Sequence, residues 1–165
     1  MFSILAFYPN GRFLGTACHD LSWRLWDLEA GEEVLHQEGH TRGVFSIKFH
    51  PDGSLACSAG LDGYGRVWDL RNGRCIMFME GHTQELYDCD FNCNGVHLTT
   101  ASADNTIKVW DLRQTGAAIK TLPAHQSLVT RVVFQKNSPP ASNFMVSGGY
   151  DKMIKIWSAP GYRKF

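Results

Sequence analysis

Residues 39–69 read GHTRGVFSIKFHPDGSLACSAGLDGYGRVWD, and this stretch decides the fold. It opens on Gly39-His40 and closes on Trp68-Asp69. Inside it, Val44 to His50 and Leu55 to Ala59 are short runs rich in β-branched, aromatic and small residues. The Pro51-Asp52-Gly53 turn separates them. Gly60-Leu61-Asp62-Gly63 supplies the next turn, where Gly and Asp tolerate positive φ. Arg66 to Asp69 and Cys75 to Met79 complete a unit of four short strands.

The same marks recur on both sides. Trp26, Trp68 and Trp110 are 42 residues apart, and Trp157 follows after 47. Asp20, Asp62, Asp104 and Asp151 each lie six residues before their Trp, and Thr16, Ser58, Thr100 and Ser147 each lie four before their Asp. His40, His82 and His125 precede their Asp by 22, 22 and 26 residues. Phe7, Phe49 and Phe91 open equivalent turns. The longer last step has a local cause in Gln135 to Asn143, a polar loop with Pro139-Pro140 that replaces a tight turn and reads as a surface excursion.

A period in the low forties with Gly-His early and Trp-Asp late resembles the WD40 repeat, four strands to a propeller blade. Gly39-His40, Gly81-His82 and the variant Ala124-His125 carry the first mark. Trp26-Asp27, Trp68-Asp69 and Trp110-Asp111 carry the second, from which Trp157-Ser158 departs. The resemblance covers the whole chain and implies an all-β fold: about four blades, near 1–36, 37–79, 80–122 and 123–165, of an incomplete, seven-bladed β-propeller. The fourth blade is expected to stop just after its third strand. The missing blades are expected to make the chain a fragment, since an open arc leaves two apolar faces uncovered.

His40, Ser58 and Asp62 superficially suggest a hydrolase triad. Repetition argues against it, because a protein rarely builds three identical triads. The expected arrangement is a buried hydrogen-bond relay, Asp to His to hydroxyl to Trp indole, in which every polar group satisfies another. Its members are Asp62, His40, Ser58 and Trp68; Asp104, His82, Thr100 and Trp110; and Asp151, His125, Ser147 and Trp157. The first blade contributes Thr16, Asp20 and Trp26 without a His.

The remaining composition excludes several function classes. The 165 residues carry 16 Lys+Arg and 16 Asp+Glu, and this balance argues against a basic nucleic-acid stripe. No apolar run is long enough for a membrane helix, and Met1 to Tyr8 reads as a strand rather than a signal peptide. Five Cys without a secretory signal suit reduced thiols of the cytosol or nucleus. Cys89 and Cys93 lack the further ligands of a zinc site. The Gly60 to Gly65 stretch has neither the following helix nor the Lys-Ser/Thr pair of a phosphate loop. No catalytic residue, cofactor, metal, membrane or small-molecule substrate is expected.

The non-consensus residues narrow the resemblance. Gly11 to Thr16 leading to Ser22 to Glu29, Leu35 to His40, Gly65 to Arg71 leading to Gly73 to Phe78, Asp104 to Arg113 and Pro123 to Gln126 are similar to the WD40 proteins of the U4/U6 small nuclear ribonucleoprotein. Trp23 beside Trp26 and the Cys75-Ile76-Met77-Phe78 strand carry most of that likeness. It implies a nuclear, non-catalytic scaffold of pre-mRNA splicing. Its partners would be other U4/U6 and tri-snRNP proteins, with U4/U6 snRNA reached through them. In such propellers partners commonly meet the top face, at positions equivalent here to His19, Phe45, Leu61, Glu85, Tyr87 and Tyr150, with Gly43, Ala103, Leu128 and Thr130 beside them. Aromatic side chains in this set fit a protein partner. A second reading is a substrate receptor of cullin-type ubiquitin ligases. Trp68-Asp69-Leu70-Arg71 and Trp110-Asp111-Leu112-Arg113 fit the Trp-Asp-x-Arg box of those receptors.

Overall fold

The computed structural model describes residues 2–114, 116–136, 143–159 and 161–165. Sixteen strands form four antiparallel four-stranded sheets, each a simple up-and-down meander. The first sheet is β1 (Phe2–Phe7), β2 (Phe13–Cys18), β3 (Ser22–Asp27) and β4 (Glu32–Glu38); the second is β5 (Val44–Phe49), β6 (Leu55–Gly60), β7 (Gly65–Asp69) and β8 (Arg74–Met79). The third is β9 (Leu86–Phe91), β10 (His97–Ser102), β11 (Thr106–Asp111) and β12 (Lys120–Pro123); the fourth is β13 (Val129–Phe134), β14 (Phe144–Gly149), β15 (Ile154–Ser158) and β16 (Arg163–Lys164). The strands expected between residues 44 and 79 lie within a residue of these bounds. The fourth sheet corrects one expectation. It does not stop after its third strand, because Arg163 and Lys164 pair with Ser158 and Trp157 as a short outer strand. Most of the expected loop from Gln135 to Asn143 lies outside the described residues.

The first strands of the sheets sit side by side, β1 against β5, β5 against β9 and β9 against β13. Between successive sheets lie three apolar layers: Trp23, Ile47, Phe49 and Trp68; Val67, Cys89, Phe91 and Trp110; and Val109, Val132, Phe134 and Trp157. The repeated Phe is the key packing residue: Phe49, Phe91 and Phe134 are 8%, 0% and 1% exposed. Phe7 occupies the same position in the first sheet but is 71% exposed, because no sheet among the described residues covers it. At the other end Ile154 is 75% exposed, whereas its counterpart Ile107 is fully buried between sheets.

Polar contacts also cross the sheet boundaries. The backbone N–H groups of Val132 and Phe134 in β13 donate to the buried carboxylates of Asp88 and Asp90, at 3.1 and 2.8 Å. Ser46 Oγ donates to Asp88 from the other side at 2.7 Å, and Lys136 Nζ reaches Asp90 at 2.9 Å.

Candidate protein-interaction face

Strand register explains the ten-residue step between each hydroxyl and its Trp. Ser58 pairs with Arg66 across β6 and β7, so Trp68 is its diagonal neighbour on the same face. Thr16, Thr100 and Ser147 pair with Arg24, Lys108 and Lys155 in the same way. The indole N–H groups of Trp26, Trp68, Trp110 and Trp157 donate to those hydroxyls at 3.0, 2.8, 2.9 and 3.0 Å.

Three sheets add the histidine. His40 Nε2 lies 2.8 Å from Ser58 Oγ, His82 Nε2 2.8 Å from Thr100 Oγ1 and His125 Nε2 2.9 Å from Ser147 Oγ. Their Nδ1 atoms face Asp62 at 3.0 Å, Asp104 at 2.8 Å and Asp151 at 2.8 Å. A neutral ring satisfies all of these contacts: Nδ1–H donates to the carboxylate, the hydroxyl donates to Nε2 and the indole donates to the hydroxyl. Each carboxylate also accepts the backbone N–H after the His, from Thr41, Thr83 and Gln126. Burial alone would raise the Asp62 and Asp104 carboxyls. Hydrogen bonds from His40, and from His82 and Thr106, outweigh it and hold both below the usual range. Asp151 behaves likewise, at about 2, its burial outweighed by hydrogen bonds from Gln126, His125 and Met153.

The first sheet departs from this pattern. Asp20 accepts from Ser22 Oγ at 2.6 Å and from the Arg24 guanidinium at 2.7 Å. In the other sheets the equivalent cation makes its hydrogen bond elsewhere: Arg66 donates to the Gly39 carbonyl at 2.6 Å, and Lys155 donates to the Ala124 carbonyl while standing 4.0 Å from Asp151.

Three of the residues expected on the top face, Phe45, Tyr87 and Thr130, owe their placement to a feature that the periodicity does not reveal. Each first strand carries a β-bulge against its neighbour. The pairing skips Phe45, Tyr87 and Thr130 in β5, β9 and β13. A bulge residue is released from the ladder and re-aimed. Phe45 and Tyr87 meet edge to face, with centroids 5.3 Å apart, and His19 stands 6.3 Å from Phe45. Phe45, Tyr87 and Tyr150 line a cavity of about 290 Å³ together with Leu128, Thr130 and Arg131. Leu61 and Glu85 belong to a separate, polar cavity of about 310 Å³, where Arg42 bonds Glu85 at 2.8 Å and the Leu61 carbonyl at 2.9 Å. Arg131 is the contributor that the sequence reading missed; its repeat equivalents Ser46 and Asp88 gave no signal of a cation. Of the two box arginines, Arg113 grips its own Asp111 with two nitrogens, at 2.9 and 2.7 Å. Arg71 is exposed, and its backbone N–H donates to Asp69.

Cys89 is buried in β9 with its thiol directed at the Cys57 carbonyl, while Cys93 lies in the turn that follows and accepts from Asn143 Nδ2 at 2.8 Å. Among the described residues no group of three metal-binding side chains assembles.

The family model described as WD domain, G-beta repeat matches residues 3–27, 31–69, 73–111 and 116–158. The chain belongs to the WD40 repeat family. Membership marks it as a protein-interaction scaffold built on β-propeller blades, of which four are present here. Over 37 residues it is 49% identical to the U4/U6 small nuclear ribonucleoprotein PRP4 of Saccharomyces cerevisiae. That stretch is 22% of this chain and 8% of the yeast protein.

Proposed function

We propose that this WD40 chain is a non-catalytic docking scaffold of the U4/U6 small nuclear ribonucleoprotein, acting in pre-mRNA splicing in the nucleus. The observation that carries the reading is the 49% identity over 37 residues to a yeast protein of that particle. The aromatic mouth formed by Phe45, Tyr87 and Tyr150 supports a protein partner, because buried aromatic anchors supply most interface energy. Its partners are other U4/U6 and tri-snRNP proteins, and U4/U6 snRNA follows through them. The balanced charge of the chain favours this indirect route to RNA.

Affinity purification of the tagged protein from nuclear extract tests the assignment. Co-purification of U4 and U6 snRNA with tri-snRNP proteins is the expected result. Recovery of a cullin-ligase adaptor without snRNA would replace it with the ubiquitin-ligase reading. The bidentate Arg113–Asp111 pair weighs against that reading, since it occupies the guanidinium that the box would present.

A further inference from the structure

We infer that the mouth cavity between the second, third and fourth blades recognises an extended peptide in which an apolar side chain is followed by an acidic residue. This rests on the docking role of the top face and adds the chemistry of what docks there. The cavity measures about 290 Å³ and is walled by Phe45, Tyr87, Leu128 and Tyr150. That is the lower limit of small-molecule pockets, and it suits a single buried side chain better than a drug-sized ligand.

Its one charged lining group is the cation Arg131. Arg131 lines the mouth and also lines an adjoining cavity of about 420 Å³ with Lys48, Asp88 and Val133. The phenol hydroxyls of Tyr87 and Tyr150 make no hydrogen bond to the protein among the described residues. The acids nearby are already engaged. Asp88 is fully buried and accepts from Ser46 Oγ and the Val132 N–H, leaving Arg131 at 3.7 Å. Glu85 is paired with Arg42. A peptide entering the mouth therefore meets an aromatic wall, two phenol hydroxyls and one half-exposed guanidinium, with Lys48 in the adjoining cavity. A carboxylate satisfies these groups, whereas an ammonium would meet like charge. Complementary charge of this kind governs specificity and encounter rate more than total affinity.

The test uses two labelled peptides, acetyl-Gly-Leu-Glu-Glu-Gly-amide and its counterpart with Lys in place of Glu. Binding is followed by fluorescence anisotropy to the chain carried as a fusion with a solubility partner, which alone serves as the control. The acidic peptide should bind at least tenfold more tightly than the basic one, and its affinity should fall as salt rises. Arg131→Gln should abolish that preference, and Arg131→Lys should keep most of it. Melting curves of both variants establish that they are folded, and Tyr150→Phe, which removes only a hydroxyl, provides a milder probe. Equal binding of the two peptides, binding of neither, or an unchanged preference in folded Arg131→Gln would each overturn the inference. The docking role fails separately: it falls if Phe45→Ala with Tyr87→Ala keeps tri-snRNP proteins, whereas if that pair loses them and Arg131→Gln keeps them, the surface stands and its acid preference does not.

Discussion

Each relay depends on a few atoms that cannot be removed singly without cost. Asp104→Ala would leave His82 Nδ1 without its acceptor in a buried site, at a cost of about 1–3 kcal/mol. Thermal unfolding of the chain carried as a fusion with a solubility partner should show that loss, and a variant as stable as the parent would remove the structural role of the relay. The sign of the pH dependence follows from the depressed carboxyls of Asp62, Asp104 and Asp151. Their stabilisation is complete above the ordinary carboxylate pKa of about 4 and is lost as pH falls through the lower folded values. Melting temperature should therefore drop on the acid side, and less steeply in Asp104→Asn than in the parent. A residue outside the obvious motif also guards the relay. A Cβ on Gly60 would collide with both His40 Nδ1 and the Asp62 carboxylate. Gly60→Ala should consequently destabilise by an amount similar to Asp104→Ala, even though it deletes no hydrogen-bonding group. If its unfolding midpoint matches the parent, the relay is looser than this geometry allows.

Strands and their pairing show how much the sequence could reveal. The period, the turns and the Trp and Asp marks located the four strands of the second blade to within a residue, because each mark is a side chain with one obligatory position. Thr16 against Arg24 and Ser58 against Arg66 fix the same register, so one repeat predicts the next. The bulges were not legible, because no residue type is required at them: Phe45, Tyr87 and Thr130 share only their place. The short strand Arg163–Lys164 was missed for a similar reason, having no motif of its own. Nor did the periodicity reveal the carboxylates that join blades. Asp88 and Asp90 interrupt an apolar strand, and their partners are backbone groups of β13, which carry no sequence signal. Asp90→Ala would strand the buried Phe134 N–H, costing about 1–3 kcal/mol. Amide exchange should show lost protection at Phe134, while an unchanged rate there would mean that the two blades are not held by this bond.

Across the whole molecule, three inter-blade layers are closed and two end faces are open. Leu5 and Phe7 at one end are 59% and 71% exposed, and Ile154 and Ile156 at the other are 75% and 48% exposed, at positions buried elsewhere in the repeat. Exposed apolar faces of this kind associate, so the isolated 165-residue chain should aggregate. A soluble monomer with a sharp cooperative melt would contradict that expectation. The proposed docking face is built from the second, third and fourth blades. Its most direct test is the double variant Phe45→Ala with Tyr87→Ala in the tagged protein, scored for recovery of tri-snRNP proteins and for melting temperature. The two rings are half-buried and pack on each other, so folding should lose only about 0.5–1.5 kcal/mol from their contact. Truncated anchor residues typically cost about 2–4 kcal/mol of binding, and each 1.4 kcal/mol is about tenfold. Recovery should therefore fall more than tenfold while the melt moves little; intact recovery, or a collapsed melt, would contradict a docking role for this face.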